Sequence, residues 1–317
     1  MNKSIFNTAV AVAVAAVFCV GCGGGGGSKP ASLKGQWVDV NPKPEDSEEF
    51  ELLSDGTAMF KNGDLNVSGT WNVVDKRLIV TVNMGGTNMS EAYNYKLSGY
   101  ELTLVNDKGD TSTCVKKEKL GDFKEKQAAE KAKRIAATKR DVEKTPTFTD
   151  SRDGKIYKRA AIGEQVWMSE NLNYAEEGST CYEDSDDNCA KYGRMYDWST
   201  AKKACPAGWH LPSDAEWKTL VDYAGGDSMA GKKLKSASGW NENGNGTNDY
   251  GFSALPSGFR NEDGNFNNLG VDAGWWSAAE DNTGWFAWRC AMSPDDEKVD
   301  MSKRTKVRFY SLRCVQD

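Results

Sequence analysis

The sequence predicts a multidomain chain: a small all-β meander closed into a barrel or sandwich, a helical linker, and an α+β domain. Three observations carry this expectation. Between Leu33 and about Lys117, short alternating runs are spaced regularly by turn formers. Over residues 119–143, Lys, Glu, Ala and Arg dominate, and no glycine or proline lies between Gly121 and Pro146. From Asp150 onward the composition shifts to Trp, Gly, Asn and Asp. Nine of the eleven tryptophans fall there, which sets this part off as a separate domain.

The β runs are Glu49-Phe50-Glu51-Leu52-Leu53, Ala58-Met59-Phe60-Lys61, Leu78-Ile79-Val80-Thr81-Val82, Tyr93-Asn94-Tyr95-Lys96-Leu97 and Glu101-Leu102-Thr103-Leu104-Val105. Between them stand Ser54-Asp55-Gly56, Lys61-Asn62-Gly63-Asp64, Asn83-Met84-Gly85-Gly86 and Ser98-Gly99-Tyr100, residue types that reverse a chain tightly. Strands this short and this regular favour an antiparallel meander over residues 33–118.

Residues 119–147 read as a charged helix by composition. The apolar positions Leu120, Phe123, Ala128, Ile135 and Val142 make no sustained heptad, so a solvated spacer is expected rather than a coiled coil. At about 1.5 Å per residue such a helix would reach roughly 35 Å. Thr145-Pro146-Thr147 ends it.

In residues 148–317, Ser213 before Asp214 has Glu216 three places on, the pattern of a capping box. Trp217, Leu220 and Val221 then follow at helical spacing and predict one apolar face. A second short helix is expected over Thr200-Ala201-Lys202-Lys203-Ala204, ending near Cys205-Pro206. Beyond Gly225 the chain is loop-rich, and a last strand is expected over residues 306–312. Short helices with a twisted antiparallel sheet and long loops make an α+β domain.

The first residues read as an export leader. Lys3 precedes an apolar run from Ala9 to Val20, too short to span a bilayer, which marks residues 1–21 as a signal peptide. A glycine-rich tether over residues 22–32 follows. Cys19-Val20-Gly21-Cys22 resembles the lipobox of bacterial lipoproteins. That resemblance implies cleavage before Cys22, lipidation of its thiol, and anchoring to a membrane of the cell envelope, at the outer membrane or cell surface. The other reading is ordinary secretion with Cys22 as a spare thiol.

Within the β region, Gly35-Gln36-Trp37 and Gly69-Thr70-Trp71, with the Asp55-Gly56-Thr57 turn between them, resemble small lipocalin-like domains of bacterial surface proteins. A lipocalin implies an interior ligand pocket; the other reading of so short a barrel is a filled one. Further on, an ordered series of segments spans the last domain. It comprises Asp153-Gly154-Lys155-Ile156-Tyr157, Gln165-Val166-Trp167-Met168-Ser169-Glu170-Asn171-Leu172-Asn173-Tyr174, Tyr192-Gly193-Arg194-Met195-Tyr196-Asp197-Trp198 and Cys205-Pro206-Ala207-Gly208-Trp209-His210. It continues with Tyr250-Gly251-Phe252-Ser253-Ala254-Leu255-Pro256-Ser257-Gly258, Trp275-Trp276-Ser277 and Leu312-Arg313-Cys314. This series resembles the Fibrobacter succinogenes major paralogous domain, and more remotely the C-type lectin fold and the sulfatase-modifying, formylglycine-generating superfamily. The resemblance implies a C-type-lectin-like domain with a role at the cell envelope and no defined activity.

With Cys19 in the leader and Cys22 lipidated, six cysteines remain, and export places them where disulfides form. Cys181 and Cys189 enclose a short acidic loop and are expected to pair. A Cys205–Cys314 bridge is implied by the likeness to the C-type lectin fold. Cys114 and Cys290 are left over, either paired with each other or free.

Charge and residue counts narrow the function. The formal net charge is -6 with no dense basic stripe, which argues against nucleic acid as a partner. His210 is the single histidine, so a zinc site, a histidine-based triad or a histidine pH switch is not expected; no catalytic residue, metal ligand or cofactor is assigned. The formylglycine-generating likeness would need paired copper-binding thiols; only Cys290 and Cys314 lie near the end of the chain, and the likeness to the C-type lectin fold already assigns Cys314 to Cys205. Asn261-Glu262-Asp263-Gly264-Asn265 and the stretch from Asn241 to Asp249 gather oxygen donors as calcium loops do, but ordinary turns use the same residues. Flat aromatic faces suit recognition, so Trp275, Trp276, Trp285 and Trp288 are the candidate ligand-binding residues. The expected function is that of a surface-anchored, non-catalytic binding or adhesion module for polysaccharide. The alternative is a structural component contacting another envelope protein, and an oxidase of the formylglycine-generating type comes third.

Overall fold

The computed structural model of the chain describes residues 30–40, 49–62, 65–84 and 87–317. The expected leader (residues 1–21), Cys22 and the tether as far as residue 29 lie outside the described residues, as do parts of the turns at residues 61–64 and 83–86. The chain divides into two compact units, one ending at Ala129 and the other beginning at Glu130.

The first unit is a closed barrel of eight antiparallel strands in sequence order. They are β1 (Gly35–Asp39), β2 (Glu49–Leu52), β3 (Thr57–Asn62), β4 (Leu65–Val74), β5 (Arg77–Met84), β6 (Thr87–Ser98), β7 (Glu101–Val105) and β8 (Thr111–Lys116). The five runs readable as strands are β2, β3, β5, β6 and β7; β1, β4 and β8 complete the ring, with β8 pairing back onto β1. The two-residue alternation of the strands turns Trp37, Leu52, Ala58, Trp71, Leu78 and Leu102 into a buried interior cluster. The indole N–H groups of Trp37 and Trp71 donate to the carbonyls of Leu33 and Leu53, each at 2.9 Å, so these large buried rings strand no polar atom. Gly69 is required where β4 crosses β5, because a Cβ there would run into the Thr81 carbonyl.

Helix α1 (Leu120–Lys144) buries none of its residues. Within the first unit Lys126 reaches Glu101 at 3.5 Å; within the second, Arg134 pairs with Glu164 and Asp141 with Arg159 at 2.5 Å.

The second unit is α+β. Its elements are β9 (Thr147–Thr149), β10 (Ile156–Ile162), β11 (Gln165–Met168), α2 (Asp186–Tyr192), β12 (Met195–Tyr196), α3 (Trp198–Ala204), β13 (Trp209–His210), α4 (Asp214–Tyr223) and α5 (Asp227–Leu234). They are followed by β14 (Ser257–Arg260), β15 (Phe266–Leu269), β16 (Ala273–Glu280), β17 (Phe286–Met292), β18 (Asp300–Thr305), β19 (Tyr310–Ser311) and β20 (Val315–Gln316). One five-stranded sheet has the order β13-β20-β11-β10-β9, another β12-β19-β16-β17-β18, and β14-β15 form a hairpin.

Local chemistry sets the helix starts. Ser213 Oγ accepts from the Glu216 N–H at 3.3 Å while the Glu216 carboxylate accepts from the Ser213 N–H at 2.8 Å, the capping box expected for α4. Trp217, Leu220 and Val221 are its buried face. α3 begins at Trp198, two residues before the expected start, because Asp197 caps it by accepting from the Thr200 N–H at 2.7 Å.

Two expectations are corrected. The first is the strand over residues 306–312: β18 ends at Thr305, the chain turns, and pairing resumes only at Tyr310. Four separate neighbours hold the turn. The Lys306 backbone bonds Trp285 and Trp198, the Arg308 guanidinium grips Glu262, and Phe309 bridges to Arg260, so no single ladder continues. The second is Trp275 and Trp276, expected at a ligand surface and both fully buried. Their rings do point to opposite faces of β16, but both faces are covered. Trp275 packs with Trp217 and Phe252 in one core cluster, and Trp276 with Tyr196 and Tyr310 in the other. Their indole N–H groups donate inward, to Asn171 Oδ1 and the Tyr196 carbonyl.

Candidate functional site

A cleft of about 440 Å³ opens in the second unit. It lies between residues 155–158 at the start of β10, the segment after β11 carrying Ser169, Glu170, Asn171 and Asn173, the end of α2 at residues 189–193, and Ser253 with Leu255. Each wall has a local cause. A disulfide joins Cys181 to Cys189, one of the two pairs anticipated, with Cα atoms 5.0 Å apart, and ties α2 down. Gly193 has φ 76°, and a Cβ there would stand 2.7 Å from Asn171 Cβ and 2.9 Å from the Asn171 carbonyl; only glycine lets the end of α2 lie so close. Asn171 Nδ2 donates to the Tyr192 carbonyl at 2.8 Å across that contact.

Behind the cleft Asn171 Oδ1 accepts twice, from Trp275 Nε1 and from the Arg313 guanidinium, each at 2.8 Å. Arg313 is fully buried and donates also to the Phe252 carbonyl, with its guanidinium 4.3 Å from the Phe252 ring centre. It is held by an amide and a carbonyl rather than a carboxylate, and its Nε has no partner. Burial pulls its pKa down to about 9. Residues 153–157, 165–174, 192–198, 250–258 and 312–314, singled out above for their order along the chain, therefore converge on this cleft and its floor. The roles of Asn171, Gly193 and Arg313 were not legible beforehand, although all three stand inside those segments.

The cleft's chemistry is mixed. Lys155 donates to the Asn173 carbonyl and lies 3.2 Å from Asp153; Lys158 sits 3.5 Å from Glu170; the Lys191 ammonium stands 4.8 Å from the Tyr192 ring centre. Amide, hydroxyl and charged groups thus line it together with Ile156, Tyr157 and Leu255.

The remaining sequence candidates are scattered. The Cys205–Cys314 disulfide closes a separation of 109 residues. It consumes the thiol that a Cys290–Cys314 copper pair would need, and Cys290 is buried with its thiol pushed up by desolvation. Cys114 lies in the barrel core and is in neither disulfide. Trp285 is 76% exposed, whereas Trp288 is half-buried under Lys303, whose amine is 5.0 Å from its ring centre. In the Asn-rich loops the side-chain oxygens are taken up by backbone: Asn261 Oδ1 accepts from the Asp263 and Asn265 N–H groups, Asn245 Oδ1 from Trp240, and Asn248 Oδ1 from Ser253. These are turn-forming bonds. Among the described residues no group of three His, Cys, Asp or Glu side chains is placed to hold a metal ion.

His210 bridges two carboxylates, with Nδ1 2.6 Å from Asp317 and Nε2 2.8 Å from Glu216. Burial alone would lower its pKa, but the bonds to Asp317 and Glu216 outweigh this and raise it above the ordinary 6.5. Burial likewise works against the Glu216 carboxylate, yet the Ser213 bonds and His210 hold it below its ordinary 4.5. A raised histidine stabilises the fold fully below pH 6.5 and ceases to as pH rises through its folded pKa; a lowered glutamate stabilises above pH 4.5 and ceases to as pH falls. The difference in urea midpoint between the parent and His210→Gln is therefore expected to be largest between about pH 4.5 and 6.5, and to shrink toward pH 9. A difference that grows with alkalinity would contradict the bridge.

A closed β-barrel followed by an α+β domain with a polar cleft makes a modular chain, an architecture consistent with a non-catalytic surface or binding protein. Residues 160–316 match the family model of the Fibrobacter succinogenes major domain, and residues 29–117 match that of the lipocalin-like family, so the chain carries one domain of each. The more distant likeness to the C-type lectin fold is not among these matches. No curated protein and no solved structure matches the chain.

Proposed function

We propose that the chain is a non-catalytic binding protein of the cell envelope, lipid-anchored through Cys22, whose C-terminal domain holds carbohydrate in the cleft beside Asn171. The observation that carries this reading is the cleft itself. At about 440 Å³ it lies within the range of small-molecule sites, and hydrogen-bonding groups line it together with apolar ones. A sugar ring presents the same two kinds of surface, hydroxyls around its edge and C–H groups on its faces.

The test is retention of the full chain on a glycan array and on insoluble polysaccharides. The Lys158→Ala/Lys191→Ala double variant alters two exposed side chains at the cleft rim. It is expected to bind about tenfold more weakly with an unchanged melting temperature, the loss of two charge-assisted hydrogen bonds in partial exposure. Retention no better than a serum albumin control, or equal retention of the double variant, would end the carbohydrate reading. Mass spectrometry of the Cys22 peptide from the membrane fraction checks the anchor separately.

A further inference from the structure

Trp285 is the most exposed of the large hydrophobic side chains described, at 76%, and two others stand beside it: Val307 at 61% and Phe286 at 39%. The three are brought together by the backbone. Phe286 pairs with Thr305 across β17 and β18, and the Lys306 N–H donates to the Trp285 carbonyl at 3.2 Å, which places Val307 next to the ring-bearing turn. The turn is held in shape. Asp281 Oδ1 accepts from the Thr283 N–H and hydroxyl, the Asp281 N–H donates to the Phe286 carbonyl at 3.0 Å, and the Trp285 N–H donates to Thr283 Oγ1 at 3.3 Å. A large apolar ring is thus presented to solvent on a hydrogen-bonded turn instead of being folded away.

The charges around this tip are uneven. Lys306 is paired with Glu280 and Arg308 with Glu262, which neutralises those four groups. Lys202, Lys303 and Arg304 have no carboxylate within ion-pair distance among the described residues. Lys202 stands over Trp198 and Lys303 over Trp288, and Arg304 donates to the Lys303 carbonyl. Against these three cations stands Asp281, whose carboxylate is occupied by the turn. The tip is positive on a chain whose formal charge is -6.

We propose that this tip is a membrane-docking surface: Trp285, Phe286 and Val307 enter the interfacial region of a bilayer, and Lys202, Lys303 and Arg304 meet its anionic headgroups. Indole rings favour the boundary between headgroups and acyl chains, and a ring of cations behind an apolar apex matches the layering of an acidic leaflet. Val307 decides between a lipid surface and an acidic polysaccharide. An exposed aliphatic side chain gains much from hydrocarbon and little from hydroxylated rings. The cleft beside Asn171 plays no part in this contact.

The test uses the full chain with vesicles of phosphatidylcholine, with and without one quarter phosphatidylglycerol, each containing brominated acyl chains that quench tryptophan emission at short range. All variants share the same N-terminus, so differences between them report on the tip. The expected result is quenching that is about tenfold stronger at equal lipid with phosphatidylglycerol present and that falls in high salt. Trp285→Ala is expected to abolish the quenching, and Lys303→Glu/Arg304→Glu to reduce it to the level seen with neutral lipid; both substitutions are exposed or half-exposed, and circular dichroism checks that the fold persists. Equal quenching in parent and Trp285→Ala overturns the proposal. So does quenching that ignores headgroup charge, and so does retention on an acidic polysaccharide without any quenching by lipid.

Discussion

Converting both Cys205 and Cys314 to alanine is expected to remove about 5 kcal/mol from the unfolding free energy of the second unit, against about 2.5 kcal/mol for the Cys181/Cys189 pair. The reason is loop length. The first bridge spans 109 residues and the second only 8, so the first restricts a far larger unfolded ensemble. The long bridge also joins the end of α3 to the segment that leads into β20, the strand lying between β11 and β13. Cys314 is fully buried, and losing the bond loosens that central pairing. Urea unfolding followed by tryptophan emission reads this unit preferentially, because it holds nine of the eleven indoles. A Cys205→Ala/Cys314→Ala variant within about 1 kcal/mol of the parent, or one no weaker than Cys181→Ala/Cys189→Ala, would contradict the argument.

Arg313→Ala is expected to cost about 3–5 kcal/mol, while Arg313→Met should cost about half as much or less. The alanine leaves a cavity beneath Phe252 and Trp275, and it strips a donor from the Phe252 carbonyl and from Asn171 Oδ1. Asn171 keeps its bond from Trp275, so one buried acceptor is left bare, not two. Methionine refills most of the volume and at the same time removes a buried charge that no carboxylate balances. Chemical unfolding of the two variants side by side separates the terms. Equal losses would mean that the guanidinium's hydrogen bonds, and not its volume, hold the floor of the cleft. A cost below 1 kcal/mol for alanine would show that the site collapses freely.

Much of the architecture was legible because its causes are local. The capping box of α4 depends on Ser213 and Glu216, three residues apart, and its apolar face on Trp217, Leu220 and Val221. The turn at Asp55 shows itself through residue type, and Asp55 Oδ1 accepts from the Thr57 N–H at 2.8 Å. The charged helix needed no packing to be recognised, since it buries nothing. Failures came where distant neighbours intervene. The segment at residues 306–309 alternates like a strand, yet Trp285, Trp198, Glu262 and Arg260 each hold a different part of it. The cleft was invisible in outline because its walls are far apart in sequence: Asn171, Tyr192, Ser253 and Arg313 meet only once β11, α2 and the final segment are folded together.

The tryptophans show the division most clearly. Two adjacent indoles in a strand must face opposite ways, and that much follows from backbone geometry alone. Whether either ring meets water depends on what lies over each face. Here α4 supplies Trp217 on one side and β12 and β19 supply Tyr196 and Tyr310 on the other, so both are hidden. Trp285, with no better local signal, is left outside because the hydrogen-bonded turn at Asp281 carries it past the end of the sheet. Residue order and short-range bonding were enough for α1, α3, α4 and five of the barrel strands, whereas α2, and α5 in the stretch expected to be loop, were not read. Burial of the other tryptophans was decided by packing between segments far apart in the chain, because burial is a property of both partners and a sequence window contains only one.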